Sequence, residues 1–400
     1  MAVAVVGSQV LFAGGQTSSV DASATDAVDL YDDSTGEWSS TTLSAPRTRV
    51  RAAVVGTHVL LAGGVDPRAM NSPVVDIYDS VSGTWSTDTL PRVRVLSIVA
   101  TFDSTVVFVG NPYAYAGGRP SGPAVADVYD DASGQWTSTD GPGVGSSGLV
   151  GAAVGSQLLV SGSDLECGAR GYQGCSLMPT GAVAIYDADS QRWSNASLSQ
   201  PRSGFSAVAA GTQVLFAGGK SAVPPNAPSD IVDVYDAATS HWTITHLPHA
   251  EAVAVGSVSS STDPRAGAWR TQAIFLTSPM TATSSPTGGQ AASLDFFDAA
   301  TGRWLSRFVP RTHSSPAVAV IDSRVLLVSN RLSPPSDSVD IFDLAADTWS
   351  AATLTAPRLG PTVVSVGSRM LIAGGLQAIS ADAPASDVVD LLDWSSDTPS

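Results

Sequence analysis

Positive charge is what this chain has least of. Its 400 residues carry 20 lysines and arginines against 36 aspartates and glutamates, a formal net charge of −16, and Lys220 is the single lysine. With so few cations and no basic stripe, a phosphate backbone would be repelled, so nucleic-acid binding is disfavoured. Glutamate is nearly missing too: Glu37, Glu166 and Glu251 are its only occurrences. No apolar run approaches the roughly 20 residues a membrane helix needs, so no membrane insertion is expected. The start, Met1 to Gly7, has no charged leader region and runs straight into an alternating apolar pattern, so a cleaved signal peptide is not expected. Cysteine is limited to Cys167 and Cys175, both in one polar loop. They read as a disulfide closing a small loop or as two free surface thiols, and only the disulfide points to an oxidising compartment. With the Asn195-Ala196-Ser197 sequon this is a weak extracellular hint, and the compartment stays open.

What the chain does have is repetition. The phrase VDIYDSVSGTW, ending at Trp85, returns with variations ending at Trp38, Trp136, Trp193, Trp242, Trp304 and Trp349, and an eighth copy starts at Val389-Asp390-Leu391-Leu392-Asp393. Repetition of this kind fills the chain end to end and indicates one domain, 1–400, built of stacked units. Fifteen aspartates sit at the two repeated positions of this phrase, so much of the acidity is structural. The 37 glycines and 25 prolines suit short strands and turns and fit long helices badly.

Each unit reads as four strands, a to d. A two-residue turn such as Gly7-Ser8, Gly56-Thr57 or Asp103-Ser104 joins a to b. Strand b ends in a glycine pair at Gly14-Gly15, Gly63-Gly64, Gly218-Gly219 and Gly374-Gly375. Units three, four, six and seven break the pair and should be less regular there. The repeated phrase is strand c, a short turn follows, and strand d begins at the tryptophan. Glycines 36, 83, 134 and 302 mark positions in that turn where positive φ is expected. Strands a and b are apolar on both faces, as in Val59-Leu60-Leu61, and so need cover on both sides. A closed propeller supplies that cover and leaves only short edges, unlike a solenoid or a row of hairpins. A tyrosine in five units (Tyr31, Tyr78, Tyr129, Tyr186, Tyr235) and a tryptophan in seven would join neighbouring blades.

The glycine pair, the aromatic seven residues before the tryptophan, and the Pro-Arg at Pro46-Arg47, Pro91-Arg92, Pro201-Arg202, Pro310-Arg311 and Pro357-Arg358 together resemble the kelch repeat. The resemblance spans essentially the whole chain and implies an all-β, kelch-type β-propeller of four-stranded antiparallel blades. Eight a–b–c sets with seven tryptophan strands point to eight blades with the last incomplete, against a seven-bladed or truncated ring. The fold does not identify a function, because kelch propellers host unrelated activities.

Antiparallel order puts the tight turns on one face and collects the long b–c loops and the d–a links on the other, where recognition is usually placed. Tyr113, Tyr115, Tyr172, Arg68, Arg119 and Arg170 fall in b–c loops, and the d–a links add Arg47, Arg49, Arg51, Arg92, Arg94, Arg202, Arg311, His313 and Arg358. Kelch adaptor domains that bind acidic peptides use arginines two residues beyond the Pro-Arg position, and Arg49 and Arg94 fall there by resemblance. The alternative is that the repeated arginines bond carboxylates or carbonyls of neighbouring blades. The expected partner is a protein segment or a glycan, bound by a monomeric propeller without a cofactor. Kelch-like copper radical oxidases need paired histidines, tyrosines and a cysteine; here the histidines are scattered, and Pro248 separates the one close pair, His246 and His249. Nor does anything isolate an acid–base pair, as a resemblance to sialic-acid epimerases would require, from the repeated structural aspartates. No catalytic or metal-binding residues are assigned.

Overall fold

A computed structural model describes residues 1–18, 23–112, 122–139, 141, 143–167, 175–222, 227–248, 252–258, 271–279, 292–311, 316–329, 336–377 and 383–395. Eight antiparallel blades follow one another, each ordered a, b, c, d from the axis outward, as in Arg51–Val55, His58–Ala62, Val74–Asp79 and Thr84–Thr89 of blade 2. Blade 8 has three strands, Thr362–Val366, Arg369–Ala373 and Val389–Asp393. Its side meets blade 1 and closes the ring: Val366, Leu371 and Ala373 are buried with Val10, Phe12 and Tyr31. Arg369 pins the same seam on the turn face, 2.9 Å from both Asp33 of blade 1 and Asp393 of blade 8.

Burial follows radial position. Strand b lies between two blades, so Val59, Leu60 and Leu61 have no accessible surface. Strand d forms the wet rim, and polar runs such as Thr84–Thr89 are mostly exposed. The turns keep their backbone where the residue type changes. Gly36, Gly83, Gly134 and Gly302 have φ from 66 to 73°, and Gln191, Ser240 and Asp347 hold 54 to 57° at the equivalent turns. The second repeated aspartate closes these turns. Asp32 accepts the Ser34 hydroxyl (2.6 Å) and amide (2.9 Å), and Asp187 does the same with Ser190. These hydroxyl bonds first, then the amides, hold both carboxyls below the ordinary aspartate range. In blades 3, 4 and 6, where the glycine pair is broken, the a–b register slips, at Val109/Gly110, Ser147/Val150 and Ala254/Ser257; blade 7 stays regular.

Each tryptophan stacks on the aromatic of its own strand c, Tyr78–Trp85 at 4.9 Å and Phe297–Trp304 at 5.0 Å. Both rings face the preceding blade, so Trp304 joins the cluster of Leu215 and Leu247 and donates from Nε1 to Thr245 Oγ1 at 3.1 Å. Trp304→Ala should cost about 2–3 kcal/mol, less than full burial would give because the ring is only partly buried at the rim. Trp38→Ala should cost clearly less, since Trp38 is 47% exposed. Paired thermal melts of the two variants check this, and equal losses would contradict the interblade role.

A second outcome concerns acid. Carboxyls whose folded pKa is depressed stabilise the fold fully above their unfolded value, about 3.9, and that contribution disappears as pH falls through the folded value. The Arg369 hydrogen bond, then the Ser395 amide, hold Asp393 down to about 2. Stability should therefore be level above pH ~5 and drop between about 4 and 2. Arg369→Gln should flatten part of that drop in pH-dependent urea titrations.

Candidate functional site

Four arginines of the d–a links are fully buried: Arg47, Arg94, Arg202 and Arg358. Each guanidinium crosses to the next blade and pairs with the first repeated aspartate there, namely Asp76, Asp127, Asp233 and Asp390. Arg202 also donates to the carbonyls of Gly218 (2.8 Å), Ile231 (2.6 Å) and Phe216 (3.3 Å). The second carboxylate oxygen of Asp233 accepts the Ser199 amide at 2.8 Å, as Asp76 accepts Ser44. Burial pushes these guanidinium groups below their ordinary pKa, and the facing carboxylate pushes back.

The glycine pair makes room for this clamp. Gly63 and Gly64 take φ of 66° and 96°, and a Cβ on Gly64 would stand 2.4 Å from the Thr48 carbonyl oxygen. Gly219 and Gly375 meet the residue after their own arginine in the same way, at 2.7 Å. Left-handed backbone turns the end of strand b so that its carbonyls face the arginine and the link lies directly on it.

Arg94, Arg202 and Arg358 are therefore unavailable to a ligand, and their expected binding role is corrected: they are the interblade clamp. The relevant spacing counts from the buried leucine that ends strand d. Leu43, Leu90, Leu198 and Leu354 each precede the clamping arginine by four residues. In blade 2 the Pro-Arg pair itself is displaced: Pro91 follows Leu90 directly, so Arg92 sits two residues early and donates to Thr139 O at 2.8 Å. Resemblance to Pro-Arg aligned Arg94 with Arg49, whereas its place is that of Arg47.

Arg49 is different. It is exposed, with φ of 55°, and projects from a link whose neighbour Thr48 is bonded both ways to Val65 of the blade 2 b–c loop (2.9 and 2.8 Å). That loop exposes Arg68 and Met70, while its own acid, Asp66, accepts the Arg68 and Met70 amides at 2.9 Å. Two residues along the link, Arg51 enters the axial channel. There a cavity of about 570 Å³ opens on the loop face, lined by the first residues of strand a from blades 1 to 5, among them Val3, Ala52, Ile98, Val150 and Ala207. Arg51 supplies the cationic side chain of this lining and donates to Leu96 O at 3.1 Å. Arg51 is exposed as a whole residue, and the surrounding protein takes enough hydration from its guanidinium to lower its pKa.

Tyr113, Tyr115, Arg170, Tyr172 and His313 lie outside the described residues, as does Arg119. Cys167 and Cys175 are backbone partners across an antiparallel pair; their side chains lie outside the description. Among the described residues, no group of three or more His, Cys, Asp or Glu side chains is placed to hold a metal ion. Arg51 was visible in the sequence only as one of many link arginines, because nothing local shows that its strand starts at the mouth of a channel.

A kelch motif is recognised at residues 46–87, the stretch running from the Arg47 link through Trp85. No curated protein matches the chain. Among solved structures, the chain is similar to a crystal structure of the computationally designed Ika8 protein, with a TM-score of 0.57 and 11% identity over 97% of this chain and 95% of that one. At that identity the likeness shows the fold alone.

Removing one partner of a buried pair strands the other's charge. Arg202→Met should therefore cost about 3–5 kcal/mol, and Arg202→Met with Asp233→Leu should recover part of it. Urea titration of the single and double variants measures this; equal stability of Arg202→Met and the unsubstituted protein would remove the clamp from the account.

Proposed function

The chain is a kelch-repeat β-propeller, and from that premise we propose that it is an interaction module whose loop face holds a carboxylate-bearing protein segment over the blade 2 sector. Kelch propellers commonly serve as protein-interaction scaffolds, which is the general part of this reading. The particular part is carried by one observation: with the clamping arginines withdrawn into the interblade seams, Arg49, Arg51 and Arg68 remain on the blade 2 link, its strand and its loop. In a chain of net charge −16, three arginines of one sector make a local anion site, and Arg49 and Arg68 are free to present the planar fork that suits carboxylates. The axial cavity beside Arg51 gives an inserted side chain a walled pocket, and exposed Met70 adds adaptable apolar contact.

A fluorescein-labelled glutamate-rich decapeptide tests the reading by anisotropy, with a lysine-rich peptide as control. Binding should be selective for the acidic peptide and fall steeply with salt. It should weaken at least ~10-fold in Arg49→Ala/Arg51→Ala, about 1.4 kcal/mol, with the melting temperature unchanged. Undiminished binding by that variant would assign the acidic ligand elsewhere.

A further inference from the structure

Each strand b begins on the turn face, and in seven blades its first residue carries a long polar side chain: Gln9, His58, Gln157, Gln213, Gln272, Arg324 and Arg369. Several of these heads cross the seam to the next blade. Gln9 and Gln157 accept the hydroxyls of Tyr78 and Tyr235 at 3.1 Å, His58 meets Asp131 at 2.8 Å, and Arg369 donates to Asp33 at 2.9 Å. Blade 3 alone begins with a short residue, Thr105, whose hydroxyl turns back to the Phe102 carbonyl at 3.2 Å. The receiving side is cut back as well. Asp33 and Asp131 stand two residues after the tyrosine of strand c, and the residue at that place in blade 4 is Ala188.

With both partners shortened, the seam between blades 3 and 4 keeps a cavity of about 420 Å³ on the turn face. Asp103 lines it from blade 3 and Asp189 from blade 4, with Ser104, Thr105 and Ser156 between them, and no cation is part of the lining. Both carboxylates are exposed, and among the described residues neither is ion-paired. The other seams show what fits such a place. The heads that fill it elsewhere are amide, imidazole and guanidinium, which share N–H donors. Beside two carboxylates the charged, forked guanidinium is the best match, because one planar head can donate to both.

We propose that this notch binds a guanidinium, supplied by an arginine side chain of a partner polypeptide or by a free guanidino compound. The head lies between Asp103 and Asp189, in the place that Arg369 takes at the seam between blades 8 and 1. The chain's net charge of −16 draws cations at long range, and the notch decides where one docks. The site is on the face opposite Arg49 and Arg51 and does not rest on the loop-face reading.

The probes are agmatine and a glycine–serine peptide with one central arginine, titrated into the 400-residue protein with backbone amide NMR as the readout. The amides of Ser104, Gly155 and Ala188 should shift saturably. Tighter binding of the peptide assigns the guanidinium to a polypeptide, and tighter binding of agmatine assigns it to a free compound. The same peptide with citrulline, which keeps the shape and loses the charge, should bind at least ~10-fold more weakly. Thr105→Gln installs the residue that begins strand b in four other blades; it should fill the notch and abolish the shifts without lowering the melting temperature. Asp103→Asn should weaken binding, whereas Asp322→Asn, the same charge change at the equivalent turn of blade 7, should not. Absence of a saturable shift with either probe overturns the proposal. So do shifts that survive Thr105→Gln, or equal weakening by Asp322→Asn, which would reduce the effect to surface charge.

Discussion

The buried ion pair between a link arginine and the first repeated aspartate of the next blade is the contact on which the rest of this propeller depends. Apolar packing between blades is strong but not directional; the clamp adds direction. Arg202 reaches Asp233 and three carbonyls of the following blade at once, which sets how far one sheet is turned against the next and where the d–a link runs. The glycine pair belongs to the same device, because only a residue without Cβ lets the link lie on the end of strand b. The loop face is held at its base by these contacts, so Arg49 and Arg51 project from fixed backbone.

Where the clamping arginine is missing, other contacts complete the seam. Between blades 3 and 4, Gly148 stands four residues after buried Val144, where an arginine would be, and Ala184 replaces the facing aspartate. In blade 6, Thr277 replaces the first glycine, and its hydroxyl bonds fully buried Asp295 at 2.7 Å. At the seam between blades 8 and 1, Asp29 stays in water and Arg369 makes the connection on the other face. Three local arrangements thus take the place of the clamp.

Function is left to what does not repeat. The repeated aspartates close turns or receive arginines, which explains most of the acidity without a ligand. Arg47, Arg94, Arg202 and Arg358 are consumed by the clamp, which leaves a small cationic sector near blade 2, and among the described residues blade 8 carries no fourth strand.

Much of the fold was legible in the residues themselves. Two-faced apolar strands such as Val59-Leu60-Leu61 called for cover on both sides, turn residues set the strand boundaries, and the recurring Tyr–Trp phrase counted the blades, including the unfinished eighth. These are local or periodic properties, and short-range sterics and burial determine them. The turns at Gln191, Ser240 and Asp347 held the left-handed conformation without the glycine that marks it elsewhere, so conformation there follows from the hairpin rather than from the residue. The fate of the arginines was not legible. Arg49 and Arg94 look equivalent when counted from proline, yet one is in water and the other has no accessible surface. The difference depends on an aspartate 33 residues further along in the next blade, and on a leucine that seats the link. The sequence by itself determined which strands form and that they close into a ring. Only the tertiary structure decided which charges are buried and which line the channel, because burial and pairing between blades depend on where distant segments meet.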